Sequence, residues 1–171
     1  MPMTVKNLME DYLASGSGSE DNRALAAALR DSPRYQNLQV TDFSSNFSVK
    51  DTEQFAAVTV KMPDGNSVIA FRGTDGTAVG WNEDFLLLSE TSVEAQKSAA
   101  AYVREMMEKY PNANFVITGH SKGGMLANSS AMDTPAEYRD RILRVVNFDG
   151  PGLTEEAMEG REEAYREIKE R

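Results

Sequence analysis

The feature that most constrains this chain is a short apolar run that ends in glycine and leads directly into a helix-forming stretch. Asn114 to Gly119 (NFVITG) reads as a buried central strand. Gly123 to Met132 reads as a helix. Between them stands Gly119-His120-Ser121-Lys122-Gly123. A strand that turns straight into a helix through Gly-x-Ser-x-Gly lifts the serine hydroxyl out of the backbone at a tight bend. The flanking glycines allow helix and strand to pack closely around it. The helix N-terminus beneath favours developing negative charge. With only three fixed positions, the motif alone turns up by chance in about one chain in twenty of this length. Its strand-to-helix context is what gives it weight, and it makes Ser121 the candidate nucleophile.

The surrounding pattern gives that strand a sheet to sit in. Phe55–Met62 and Ser67–Arg72 are two β-rich runs joined by Pro63-Asp64-Gly65-Asn66, in which proline presets φ and glycine supplies a positive φ. They read as an antiparallel hairpin. The second run opens into Gly73-Thr74-Asp75-Gly76-Thr77, and the apolar segment Trp81–Leu88 follows. A long helix is predicted from about Ser92 to Tyr110, with Val93, Ala100, Val103, Met106 and Met107 as its apolar face. Ile142–Phe148 reads as another strand. Thr154 caps a last charged helix reaching Arg171, with Glu162–Arg166 and Glu167–Arg171 at ion-pair spacing. Near the N-terminus, Val5–Leu13 and Asp21–Leu29 read as short helices separated by a Ser/Gly joint. Residues 32–48 are turn-rich and carry no clear period. Strand and helix in alternation predict an α/β fold, a mostly parallel sheet flanked by helices, with an antiparallel hairpin at its start. Residues 1–50 are read as a helical N-terminal segment and 51–171 as the domain proper.

Composition excludes several classes of function. The net charge of -9 comes without a Lys/Arg cluster, which argues against a nucleic-acid partner. There is no cysteine and one histidine, so thiolate sites and the usual histidine-based zinc sites are not expected, nor is any cofactor. No basic segment runs into an apolar stretch at the N-terminus, and no run of roughly 18 apolar residues exists. The expected setting is cytoplasmic, or export without a visible signal peptide. Oligomeric state cannot be read.

A second constellation accompanies the serine: Phe71-Arg72-Gly73-Thr74, then Trp81-Asn82-Glu83-Asp84. A loop leaving the strand beside the nucleophile strand is where oxyanion donors are to be sought. Gly73 permits close approach, and Thr74 offers a backbone N–H and a hydroxyl. Together with Gly119-His120-Ser121-Lys122-Gly123-Gly124, these motifs resemble the class 3 lipases. Lys after the serine, and Asn147-Phe148-Asp149-Gly150-Pro151-Gly152 after the next strand, look more like a related bacterial lipase-like family of unknown function. The resemblance covers about residues 54–153. It implies an α/β-hydrolase-like three-layer sandwich and an ester or acyl-lipid substrate. It also implies Ser121 as nucleophile, an oxyanion hole from Thr74 and the Lys122 backbone N–H, and Asp84 as support for the Thr74 hydroxyl. Gly119 and Gly123 would shape the elbow.

The sequence departs from that family in one respect. A serine hydroxyl needs a base, and the family's histidine lies well downstream of the nucleophile. Here the one histidine is His120, next to Ser121, where adjacent side chains point apart. It reads as a packed residue hydrogen-bonded to a neighbouring strand or loop. Asp149 is a candidate triad acid, with a turn-forming role as the alternative. Lys122 as base is disfavoured, because nothing in the sequence buries it to lower its pKa. Two readings stand: a partial hydrolase domain whose acid and base lie beyond Arg171, or a catalytically dead hydrolase fold used for binding.

Overall fold

The structure is a computed structural model that describes residues 3–48, 53–74 and 94–171. The elements in chain order are β1 (Met3–Thr4), α1 (Val5–Ala14), α2 (Glu20–Asp31), β2 (Gln39–Ser48), β3 (Glu53–Lys61), β4 (Ser67–Phe71), α3 (Glu94–Lys109), β5 (Phe115–His120), α4 (Lys122–Met132), α5 (Ala136–Arg139), β6 (Ile142–Phe148), α6 (Glu155–Met158) and α7 (Glu162–Ile168). The strands form one sheet in the order β1-β2-β3-β4-β5-β6. The β1–β2, β2–β3 and β3–β4 pairs are antiparallel, whereas β4–β5 and β5–β6 are parallel. The sheet is therefore mixed, not mostly parallel. The reason lies in residues 39–48, whose strand adds a further antiparallel partner to the expected hairpin. Residues 3–48 thus hold two strands beside their two helices.

One face of the sheet carries the core. Phe55, Ala57, Ile69, Phe71, Phe115 and Ile117 alternate along β3, β4 and β5 and are all buried. They meet Ala99, Val103, Met106 and Met107 of α3 and Met125, Leu126 and Ala131 of α4. Ala164 and Ile168 of α7 close the same cluster. The core thus lies between two layers, the sheet and these helices. Alternate residues on the opposite face of the sheet, among them Val58, Val68, Ala70 and Val116, are half-buried. β2 is tied to the end of α3 through Asp42, which accepts from Lys109 and from Tyr110 Oη at 2.6 Å. Burial opposes ionisation of Asp42, but these hydrogen bonds hold its carboxyl below the ordinary aspartate range.

The charged C-terminal helix is two helices. Gly160 (φ 78°) breaks it between α6 and α7. Arg166 and Arg171 do not pair with the carboxylates of Glu162 and Glu167 that the spacing offers. Arg166 donates to the Glu162 carbonyl and Arg171 to the Glu167 carbonyl. Arg139 pairs with Glu167 at 3.0 Å, and Arg161 pairs with Asp133 at 3.0 Å. Long arginine side chains reach acceptors on neighbouring elements, which spacing along one helix cannot foresee.

Candidate active site

Ser121 is one of two non-glycine residues with positive φ among those described, at φ 56° and ψ -128°. That conformation is sterically costly for a residue with a Cβ. It is imposed from both sides, since β5 lies between β4 and β6 and α4 is buried over nearly its whole length. The Ser121 amide donates to the Phe148 carbonyl at the end of β6 (2.9 Å), and the Ser121 carbonyl accepts from the Gly124 amide (2.9 Å). Ser121 is the N-cap residue of α4, yet its side chain makes no capping hydrogen bond. A half-buried hydroxyl that caps nothing sits over the positive end of a buried helix.

The glycines explain why the bend closes. A Cβ on Gly123 would stand 2.4 Å from the Phe71 carbonyl oxygen, so α4 rests directly on the end of β4. A Cβ on Gly119 would meet the Gly123 backbone at 2.3 Å. The loop leaving β4 comes close as well. A Cβ on Gly73 would lie 2.8 Å from the His120 carbonyl oxygen and 3.5 Å from Ser121 Cβ. Thr74, the next residue, is half-buried.

Other candidates fall in different places. Asp149 is exposed and also has positive φ (52°), in the bend that follows β6. That bend is held by Asn147 Oδ1, which accepts from the Gly150 amide at 2.7 Å. Asp84, and Trp81 with it, lies outside the described residues. Two expectations are corrected. His120 is exposed, not packed, because the final residue of β5 points away from the helix layer. Lys122 is buried, with 2% of its surface exposed. Its Nζ reaches β3 and donates to the Gln54 carbonyl at 2.7 Å and to Gln54 Oε1 at 2.9 Å. Sequence reasoning passed over Gln54, although a glutamine beside the apolar run of β3 was the available signal. Among the described residues no group of three or more His, Cys, Asp or Glu side chains is disposed to hold a metal ion, and no helix is long and apolar enough to cross a membrane.

The sequence model of the Mbeg1-like family matches residues 29–171, which takes in every element of this site. The chain belongs to the Mbeg1-like family. No curated protein matches this Mbeg1-like chain. Among solved structures it is similar to a fungal lipase–inhibitor complex, described as a model for interfacial activation in lipases. That likeness has 19% identity and a TM-score of 0.46, and covers 84% of this chain and 60% of the other. It is also similar to Rhizomucor miehei lipase in complex with its propeptide, at 18% identity and a TM-score of 0.41, covering 88% of this chain and 52% of that one. The Mbeg1-like chain spans less than two thirds of the length of either structure.

Proposed function

We propose that this chain carries the nucleophile side of a serine hydrolase of the α/β-hydrolase type. Its substrate is a carboxylic ester or an acyl lipid, as the class 3 lipase resemblance of its motifs implies. Ser121 attacks the acyl carbonyl. Thr74 and the Lys122 backbone N–H receive the negative charge that develops on the oxygen. Asp84 steadies the Thr74 hydroxyl, Gly119 and Gly123 allow the bend, and the base and acid come from outside residues 1–171. The observation that carries this reading is the backbone of Ser121. A serine held at positive φ, with its hydroxyl released from capping and the Gly73 loop pressed against its Cβ, is costly as a mere connection. It is what an attacking oxygen requires.

One observation favours a second reading, a binding module on an inactive hydrolase fold. The chain's single histidine is exposed and adjoins the serine, where it is poorly placed to take the proton. A fluorophosphonate probe separates the two. Covalent labelling of the full-length protein that disappears in Ser121→Ala is the expected result. Absence of labelling in the folded full-length protein would leave the binding module.

A further inference from the structure

Lys122 is among the largest fully buried side chains of the chain, and the acyl-transfer scheme above uses only its backbone. Burying an ammonium costs several kcal/mol before its hydrogen bonds are counted. A methionine would fill the same space without that cost, so packing alone does not account for a lysine here.

Where the ammonium goes gives the reason. β3 and β4 are antiparallel with Ala57 opposite Phe71, and the Arg72 amide still donates to the Ala56 carbonyl at 2.9 Å. Gln54 lies two residues before Ala56, at the end of β3 beside which the Arg72–Thr74 loop leaves β4. Gln54 is fully buried, and both of its oxygens accept from Lys122 Nζ. The side chain of Lys122 therefore leaves the first residue of α4, crosses the end of β4 and binds the strand flanking the Arg72–Thr74 loop. Gly123 supplies the clearance by resting on Phe71 and Arg72.

We propose that Lys122 is a positioning residue for the oxyanion hole. Its buried side chain clamps the elbow to β3, beside the strand end from which the Arg72–Thr74 loop leaves. The inference rests on the serine-hydrolase reading and extends it. One residue serves twice, its amide as donor and its side chain as the brace that fixes where that amide stands. A donor held where the oxyanion develops acts on the transition state more than on substrate binding.

The test uses the full-length protein and the rate at which a fluorophosphonate labels Ser121, resolved into the probe's binding constant and its maximal rate. Gln54→Leu removes the side-chain acceptor and leaves the Lys122 backbone amide untouched. It is expected to lower the maximal labelling rate roughly tenfold, with probe binding little changed. Lys122→Met combined with Gln54→Leu replaces both side chains by apolar ones and leaves no ammonium to bury. It is expected to remain folded and to label at least as slowly. Wild-type labelling rates in Gln54→Leu, or in a folded double variant, would overturn the role assigned to Lys122 and leave the hydrolase reading intact. If the wild-type protein itself is not labelled, against Ser121→Ala as the blank, the hydrolase reading falls and this inference with it.

Discussion

The backbone N–H of Ser121 donates to the carbonyl of Phe148 at 2.9 Å, fastening the most strained residue of the elbow to the end of the neighbouring strand. The strand end is itself fixed, since the Asn147 side chain closes the following bend on the Gly150 amide. Strain persists only where its surroundings over-determine it. Here those surroundings are a parallel strand on one side and the β4 loop on the other.

Relief of that strain should be measurable. Ser121→Gly places at φ 56° a residue that tolerates it. Recovered strain of about 1–3 kcal/mol, less about 0.5–1 kcal/mol for glycine's greater freedom in the unfolded chain, leaves a net gain on the order of 1 kcal/mol. For a domain of this size that raises the melting temperature by about 2–4 °C. Differential scanning calorimetry is the check, and a lowered melting temperature would contradict stored strain. Probe labelling is lost in the same variant.

Gly123→Ala should act in the opposite direction. Alanine is intrinsically the better helix former by about 1 kcal/mol. The added methyl, however, would stand 2.4 Å from the Phe71 carbonyl oxygen, a backbone atom with no freedom to retreat. We expect a net loss of about 1–2 kcal/mol, read as a lowered urea midpoint with an unchanged slope. A neutral or stabilising result would mean that α4 does not rest on β4 as described.

Tyr102 gives a pH signature away from the site. Its hydroxyl is buried against Thr59 Oγ1 at 2.8 Å, and burial pushes its pKa up to about 12. An unfolded tyrosine ionises near pH 10, so the folded state favours the neutral phenol. That contribution is complete below pH 10 and is lost as the pH rises from 10 towards 12. Stability is expected to fall across this interval, and Tyr102→Phe should flatten the fall while costing about 1 kcal/mol at neutral pH. Urea titrations of both proteins at pH 7, 9 and 11 provide the comparison, and parallel curves would refute the assignment.

Legibility in the sequence followed how local the determining interactions were. β5, the turn at Ser121 and α4 could be read because period, glycines and hydroxyl are contiguous. The β3–β4 hairpin was readable for the same reason, its turn chemistry lying between two β-rich runs. β2 was not. Its Phe43 and Phe47 are exposed and its other residues are mostly polar, so its strand state comes from pairing along β3 and not from an apolar face. The burial of Lys122 was equally hidden, since it depends on Gln54, 68 residues earlier. Asp84 was singled out from sequence, but lies outside the described residues.

Strands adjacent in the sheet are also consecutive in the chain. Closing β3 onto β4 spans only a short turn, so its entropic cost is small and it can form early. The parallel partners of β5 must wait for helical crossovers on either side. The conformation of Ser121 depends on both of those neighbours, so the strained turn is among the last features the folding chain acquires. A half-assembled molecule therefore has its hairpins in place while residue 121 is still free to take an unstrained backbone conformation.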